Sequence, residues 1–219
     1  MTLAIFDLDN TLLAGDSDRL WGVWLCEQGL VDAAAHASVN EGFYNDYRAG
    51  SLDIVAYLRF ALQPIAGRTL GEIATWQAAF LRDKIEPIML PAAQALLEDH
   101  RQRGDTLLVI TATNEVVAGP IVEQLGVDNL IACSVEVAGA CYTGAPLGTP
   151  SYREGKVERL DDWMAARNES LHGATFYSDS HNDLPLLQLV DHPVAVDPDP
   201  TLAEHAREAG WRIISLRGE

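Results

Sequence analysis

The chain has 219 residues, 48% of them hydrophobic, enough for one domain or for a core with a smaller satellite. Lys and Arg total 15 against 32 Asp and Glu, a formal net charge of -17, and no basic block exists to neutralise a phosphate backbone, which excludes nucleic acid as a partner. No apolar run is long enough to span a membrane, Asp7 and Asp9 interrupt the apolar amino-terminal stretch, and Cys26, Cys133 and Cys141 match no zinc or redox spacing, so a cytoplasmic protein, monomer or homodimer, is expected.

In chain order, the first predicted strand is 3–8, an apolar run that ends in Asp7-Leu8-Asp9-Asn10-Thr11. From 14 to 87 no clear strand follows. Trp21, Trp24, Leu25, Tyr44, Tyr47, Leu58, Leu62, Trp76 and Phe80 are spaced for helices, and Gly29, Gly50, Pro64 and Gly71 punctuate them, so this interval reads as a helical insert. Beyond it, helices are predicted over 92–103, 115–125, 154–167 and 202–209, with Gly104, Gly126 and Gly210 as stops after three of them. Between these helices lie strands over 106–111, 130–135, 174–178, 193–196 and 212–216. The stretch 141–148 (CYTGAPLG) reads as a small hairpin or turn. Alternating strands and helices give an α/β fold, a Rossmann-like three-layer α/β/α core with a parallel sheet covered on both faces, plus the all-helical insert.

Asp7 and Asp9, two apart on a strand, share one face near its carboxyl end, where open parallel sheets place their sites. Carboxylates held this close need a cation, a shared proton, or both. Three more stations sit at the same predicted edge: Thr111, Lys156, and the run Ser178-Asp179-Ser180-His181-Asn182-Asp183. Each alone has an ordinary explanation as a cap, a turn or a solvated charge. Their conjunction in this order resembles the haloacid dehalogenase superfamily of phosphohydrolases, in its phosphoserine-phosphatase-like branch with a helical cap after the first motif. The resemblance covers essentially the whole chain and implies a catalytic core over 1–13 and 88–219 with a cap over 14–87. It implies a phosphomonoester hydrolase with Asp7 as nucleophile through an aspartyl-phosphate and Asp9 as proton carrier. Thr111, Lys156 and Asn182 would hold the phosphate. A Mg²⁺ cofactor would be bound by Asp7, the backbone carbonyl of Asp9 and Asp179, with Asp183 orienting that set.

The expected partner is a small phosphorylated metabolite. Phosphoserine phosphatases of this branch carry a glutamate where this chain has Asp16, and a cap arginine that grips the serine carboxylate where it has Ala61. Losing that clamp disfavours an amino-acid substrate. An amino-alcohol phosphate needs no arginine: its ammonium could meet Asp16 or Asp18, and Trp21, Trp24 or Tyr44 could stack on an imidazole, which makes histidinol phosphate the favoured substrate. Other small phosphomonoesters including phosphoserine, phosphoryl transfer to an alcohol, and a catalytically silent binding protein remain as alternatives.

Overall fold

A computed structural model describes residues 2–218; residues 1 and 219, the outer ends of the expected core, lie outside them. Four helices follow strand β1 (Leu3–Phe6): α1 (Ser17–Glu27), α2 (Ala33–Ala49), α3 (Ile54–Leu62) and α4 (Leu70–Phe80). A π turn (Leu81–Ile85) and a short 3₁₀ turn lead back to α5 (Pro91–Gln102). The remainder alternates: β2 (Thr106–Asn114), α6 (Glu115–Gln124), β3 (Asn129–Ala138), β4 (Cys141–Leu147), α7 (Glu154–Arg167), β5 (Thr175–Ser178), α8 (Leu184–Leu187), β6 (His192–Val196), α9 (Pro200–Ala209) and β7 (Arg212–Ile214).

One seven-stranded sheet runs in the order β4-β3-β2-β1-β5-β6-β7. All neighbours are parallel except β3 and β4. Strand β1 is central and buried on both faces, which is why it reads as an unbroken apolar run rather than an alternation. Regular pairing of β1 stops at Phe6, two residues earlier than expected, although the Asp7 amide still donates to the Tyr177 carbonyl at 2.9 Å. Strand β2 continues three residues past Thr111, and its register against β3 slips between Ile110 and Asn114. Such a slip re-aims side chains at the end of a strand. The expected hairpin at 141–148 is β4, turned back antiparallel on β3 with Ala138 opposite Cys141. Its Gly, Pro and Thr content hid it, as suits an edge strand.

The helical insert leaves and re-enters through a narrow neck: Leu13 bridges Met89, and the Ala14 amide donates to the Ile88 carbonyl at 2.8 Å. One hydrophobic cluster nevertheless crosses that neck. It joins Phe6 and Val109 of the sheet to Leu12, Trp21, Leu58, Ile73 and Phe80. On the opposite face, Ile5, Leu108 and Phe176 pack beneath α7, α8 and α9 with Leu160, Trp163, Leu187 and Leu202.

At the amino-terminal edge of the sheet, Asp105 ties the starts of β1 and β2 together. It accepts from the Thr2 amide (3.2 Å) and hydroxyl (2.6 Å), and pairs with His100 Nδ1 at 2.9 Å. The other His100 ring nitrogen meets the Tyr177 hydroxyl at 2.9 Å. Partial burial alone would raise the Asp105 carboxyl, but these bonds outweigh it and hold the group down at about 2. A folded-state value below the ordinary one means stability present above pH 4 and lost as pH falls toward 2. Asp105→Asn is expected to cost about 2 kcal/mol at neutral pH, with the gap to the parent narrowing below pH 4; urea unfolding across pH reads both.

Candidate active site

The carboxyl ends of β1, β2 and β5 converge with the first turn of α7. Asp7 follows β1, Thr111 lies in β2, and Ser178 ends β5 immediately before Asp179. Lys156 enters from α7 and is 2% exposed. Its ammonium donates to Asp7 Oδ1 at 2.8 Å and contacts Asp183 Oδ1 at 2.7 Å. The local chain makes this possible at some conformational expense. Arg153, capping α7, sits at φ 53° and ψ -121°, a positive-φ conformation unusual for a residue with a side chain. At Gly155 a Cβ would lie 2.1 Å from the Pro150 carbonyl oxygen, so the turn that delivers Lys156 has no room for alanine.

The acidic side of the site is held from several directions. Ser178 donates to Asp183 Oδ2 at 2.7 Å. Thr11 Oγ accepts from the Asp179 amide at 3.0 Å and donates to its carboxylate at 3.3 Å. Asn10, at φ 57°, starts the tight turn that returns Thr11 to that position. Asp9 accepts from the Ser17 amide at 2.5 Å and from the Thr113 hydroxyl at 2.6 Å. The register slip in β2 lies beside Thr113, and neither Thr113 nor Ser17 stood out in the sequence as a partner of Asp9.

Charge is out of balance here. Burial pushes the Asp7 carboxyl up to about 7, against the pull of Lys156 and with Asp183 adding to the rise. Burial, then Asp7 and Asp183, carry Asp179 well above the carboxylate range. Burial raises Asp9 as well, against its bonds from Ser17 and Thr113. Burial also opposes the Lys156 charge, but Asp183 and Asp7 more than restore it and keep the amine protonated. Four carboxyl groups, those of Asp7, Asp9, Asp179 and Asp183, thus surround one ammonium, which bonds directly to Asp7 and Asp183. Among the described residues no three His, Cys, Asp or Glu side chains form a ready metal cage. The donor chemistry, all oxygen and in excess of its counter-charge, nonetheless suits a hard divalent cation such as Mg²⁺.

A cavity opens from this cluster toward the helical insert. Its floor is Asp7, Asp9, Thr111, Ala112 and Thr113, and its roof includes Asp16, Asp18, Arg19, Tyr44, Tyr47 and Tyr57. Asp16 and Tyr44 therefore lie where the sequence placed them, on the roof. Trp21 and Trp24 do not. They are 2% and 3% exposed, stack on each other at 5.3 Å, and pack against Phe80 in the core. Their bulk serves packing, because the apolar side of α1 faces the core cluster. Asn182 is also differently engaged. Its Oδ1 accepts from the Tyr152 hydroxyl at 3.1 Å and its Nδ2 donates to the Tyr47 carbonyl at 3.0 Å. Its amide thereby links Tyr47 of the insert to Tyr152 of the core. The Tyr47 hydroxyl, 3.2 Å from Ser180 Oγ, and the Arg153 guanidinium, 3.1 Å from the Gly50 carbonyl, make the same join. His181 pairs with Asp199 at 2.8 Å. Arg19, unnoticed in the sequence, reaches the roof, but its guanidinium pairs with Glu41 at 3.0 Å and lies 5.0 Å over the Tyr44 ring.

The model of the haloacid dehalogenase-like hydrolase family matches residues 4–188. The chain belongs to that family. It is 46% identical to the histidinol-phosphatase of Neisseria meningitidis serogroup C (strain 8013), over 98% of this chain and 99% of that one. A phosphoserine phosphatase of Mycobacterium tuberculosis (strain ATCC 25618 / H37Rv) is 30% identical over 98% of this chain and 70% of its own length. Among solved structures, a Bordetella pertussis Tohama I protein of unknown function superposes with a TM-score of 0.92 at 40% identity, over 99% of this chain and all of that one. A substrate-bound phosphoserine phosphatase superposes with a TM-score of 0.73 at 18% identity, over 99% and 93% of the two chains, and shares the fold. This haloacid dehalogenase-like hydrolase is a phosphoric monoester hydrolase. Among its described residues no helix is long and apolar enough to cross a membrane.

The ion pairs can be tested without reference to turnover. Lys156→Met strands Asp7 and Asp183 without a counter-charge and is expected to cost about 3–5 kcal/mol. Adding Asp183→Asn should recover part of that, so the two losses will not add. Urea melts of both single variants and the double variant measure the coupling; additive losses would show that the two groups do not interact.

Proposed function

We propose that the enzyme hydrolyses a small amino-alcohol phosphomonoester, with histidinol phosphate as substrate, through a covalent phosphate on Asp7. The observation that carries the chemistry is the buried Asp7–Lys156–Asp183 cluster at the foot of a cavity roofed by acidic and aromatic side chains. The near full-length likeness to a histidinol-phosphatase supports the substrate.

Asp7, fixed by its backbone bond to β5, attacks phosphorus in line with the leaving oxygen. Lys156 holds the transferring group and reduces its repulsion by the nucleophile, and Thr111 offers a hydroxyl from the cavity floor. As the phosphorus–oxygen bond breaks, Asp9 gives its proton to the departing alkoxide. It then takes a proton from the water that attacks the aspartyl-phosphate, which releases inorganic phosphate and restores Asp7. Burial favours the protonated form that the first step needs, and the Thr113 hydroxyl beside Asp9 can accept from it in that form. Asp7, Asp179 and the Asp9 carbonyl would hold Mg²⁺, with Asp183 orienting them. The bound ion would supply charge neutralisation for the incoming phosphate.

The insert, 14–87, acts as a cap on a core of 1–13 and 88–219. It closes the site from water and reads the leaving group, and the Asn182, Tyr47 and Arg153 contacts hold it there. The arginine at the roof does not favour a carboxylate-bearing leaving group, because Glu41 already neutralises it.

Purified enzyme with Mg²⁺ should release phosphate from histidinol phosphate, and EDTA should stop it. Asp7→Asn should lower turnover by on the order of 10³ or more while circular dichroism stays unchanged. Turnover retained in that variant would remove Asp7 from the mechanism. Hydrolysis of phosphoserine but not of histidinol phosphate would overturn the substrate.

A further inference from the structure

The floor of the site is nearly sealed: Asp7 is 4% exposed, Lys156 2% and Asp183 3%. A phosphate ester reaches Asp7 only if something above it moves. The elements above are not held alike. Helices α1, α3 and α4 give Trp21, Leu25, Leu58, Leu62, Ile73 and Phe80 to the apolar cluster shared with the sheet. Directed bonds add to that packing. The Gly67 amide donates to the Tyr142 carbonyl at 2.8 Å, the Tyr142 amide to the Arg68 carbonyl at 2.9 Å, and the Leu70 amide to the Ala140 carbonyl at 3.0 Å. From α4, Gln77 Nε2 donates to the Val116 carbonyl at 2.6 Å, and in α1 Asp18 accepts from Asn114 Nδ2 at 2.9 Å. These three helices are therefore fixed to the core by both packing and hydrogen bonds.

Helix α2 is different. Among the described residues, none of it belongs to either apolar cluster. Its less exposed stripe is His36, Asn40, Phe43, Tyr44 and Tyr47, and the last four of these wall the cavity. Toward α3 it makes ring contacts, His36 on Phe60 at 4.5 Å and Phe43 on Phe60 at 5.5 Å. Toward α1 it has the Asn40 bond to the Arg19 carbonyl at 3.3 Å and the exposed Glu41 pair. Its amino end is anchored, because Leu30 and Val31 just before it pack on the apolar cluster. Its carboxyl end runs into Gly50, at φ 69°, and the irregular stretch 51–53. That end meets the core through the Tyr47 hydroxyl on Ser180, the Tyr47 carbonyl on Asn182 and the Gly50 carbonyl on Arg153. The Ser180 amide donates in turn to Ser178 Oγ at 3.1 Å, and Ser178 holds Asp183. Burial, then the charges of Asp7, Asp179 and Asp183, hold the Tyr47 phenol well above its ordinary range and keep it a donor.

We infer that α2 alone is the moving part of the roof, swinging on its anchored amino end, and that Tyr47 is the positioning residue that latches it over the acid cluster when the site is filled. Helices α1, α3 and α4 stay with the sheet. This rests on the phosphatase function above and deepens it. The wall that meets the leaving alcohol is the part that opens, so recognition of the alcohol and closure of the site are one event.

The test places 3-fluorotyrosine at the six tyrosines and reads fluorine NMR line widths. Tyr44 and Tyr47 report on α2, Tyr142 on the junction of β4 with the rest of the insert, and Tyr177 on the sheet. In the free enzyme the two α2 signals should be broadened by microsecond-to-millisecond exchange while Tyr142 and Tyr177 stay sharp, and inorganic phosphate with Mg²⁺ should narrow them. Tyr47→Phe removes the hydroxyl alone. In that variant the Tyr44 signal should stay broad with phosphate, and KM for p-nitrophenyl phosphate should rise at least about fivefold with kcat changed less than about twofold. A purely structural role would lower the melting temperature without that split. Broadening of Tyr142 together with Tyr44, sharp α2 signals in the free enzyme, no narrowing by phosphate, or an unchanged KM in Tyr47→Phe would each overturn the inference. Failure of the histidinol phosphate assignment shows up separately, as no hydrolysis of that ester by a parent enzyme that still turns over p-nitrophenyl phosphate.

Discussion

A lysine ammonium buried between two aspartates organises this molecule. From α7, Lys156 bonds Asp7 at the end of β1 and Asp183 in the turn after β5, and each of the three is at most 4% exposed. Removed from water, such charges are tolerable only while they stay together. That requirement fixes the distance between the end of β1, the start of α7 and the turn after β5. It also explains why an arginine at a positive φ and a glycine with no room for a Cβ persist beside Lys156. The strain is local, and the electrostatic constraint it serves spans the sheet.

From that cluster outward, polar side chains divide their work. Thr11, Thr113, Ser178 and Asn114 each orient an acidic group by a hydrogen bond. Asn182, Tyr47 and Tyr152 join the insert to the core. Short hydroxyl and amide side chains suit this role because they reach one partner and lose little freedom in doing so. The carboxylates remain close together, with more negative charge than the protein itself neutralises.

Most of the sheet was legible because buried parallel strands must be apolar along their whole length, and 106–111 or 174–178 can hardly be anything else. Strand ends were not, since backbone pairing at Asp7 continues without regard to side-chain polarity and the slip in β2 leaves no mark in composition. Strand β4 reads from the sequence as a small hairpin or turn rather than as a strand of the sheet, because an edge strand needs few apolar residues. Within the site, carboxylates, lysine and threonine fell together as their order along the chain suggested. The aromatic residues were harder. Tryptophan at helical spacing suits a core and a ligand wall equally, and only the packing of α1 on Phe80 separates the two for Trp21 and Trp24. Asn182 was ambiguous for a similar reason: an amide can meet a phosphate oxygen or a backbone carbonyl, and here it meets Tyr47.

The single apolar cluster that crosses the neck has a thermodynamic meaning. Trp21, Leu58, Ile73 and Phe80 of the insert share contacts with Phe6 and Val109 of the sheet, so neither part owns a complete core. Parts that share a core cannot melt one at a time, and the molecule should unfold as one cooperative unit despite its inserted architecture. Helix α2 stands apart. Asn40 is its one buried residue, and its amide accounts for that through the Arg19 carbonyl. With so little apolar anchorage, α2 is where amide exchange should begin well below the global transition.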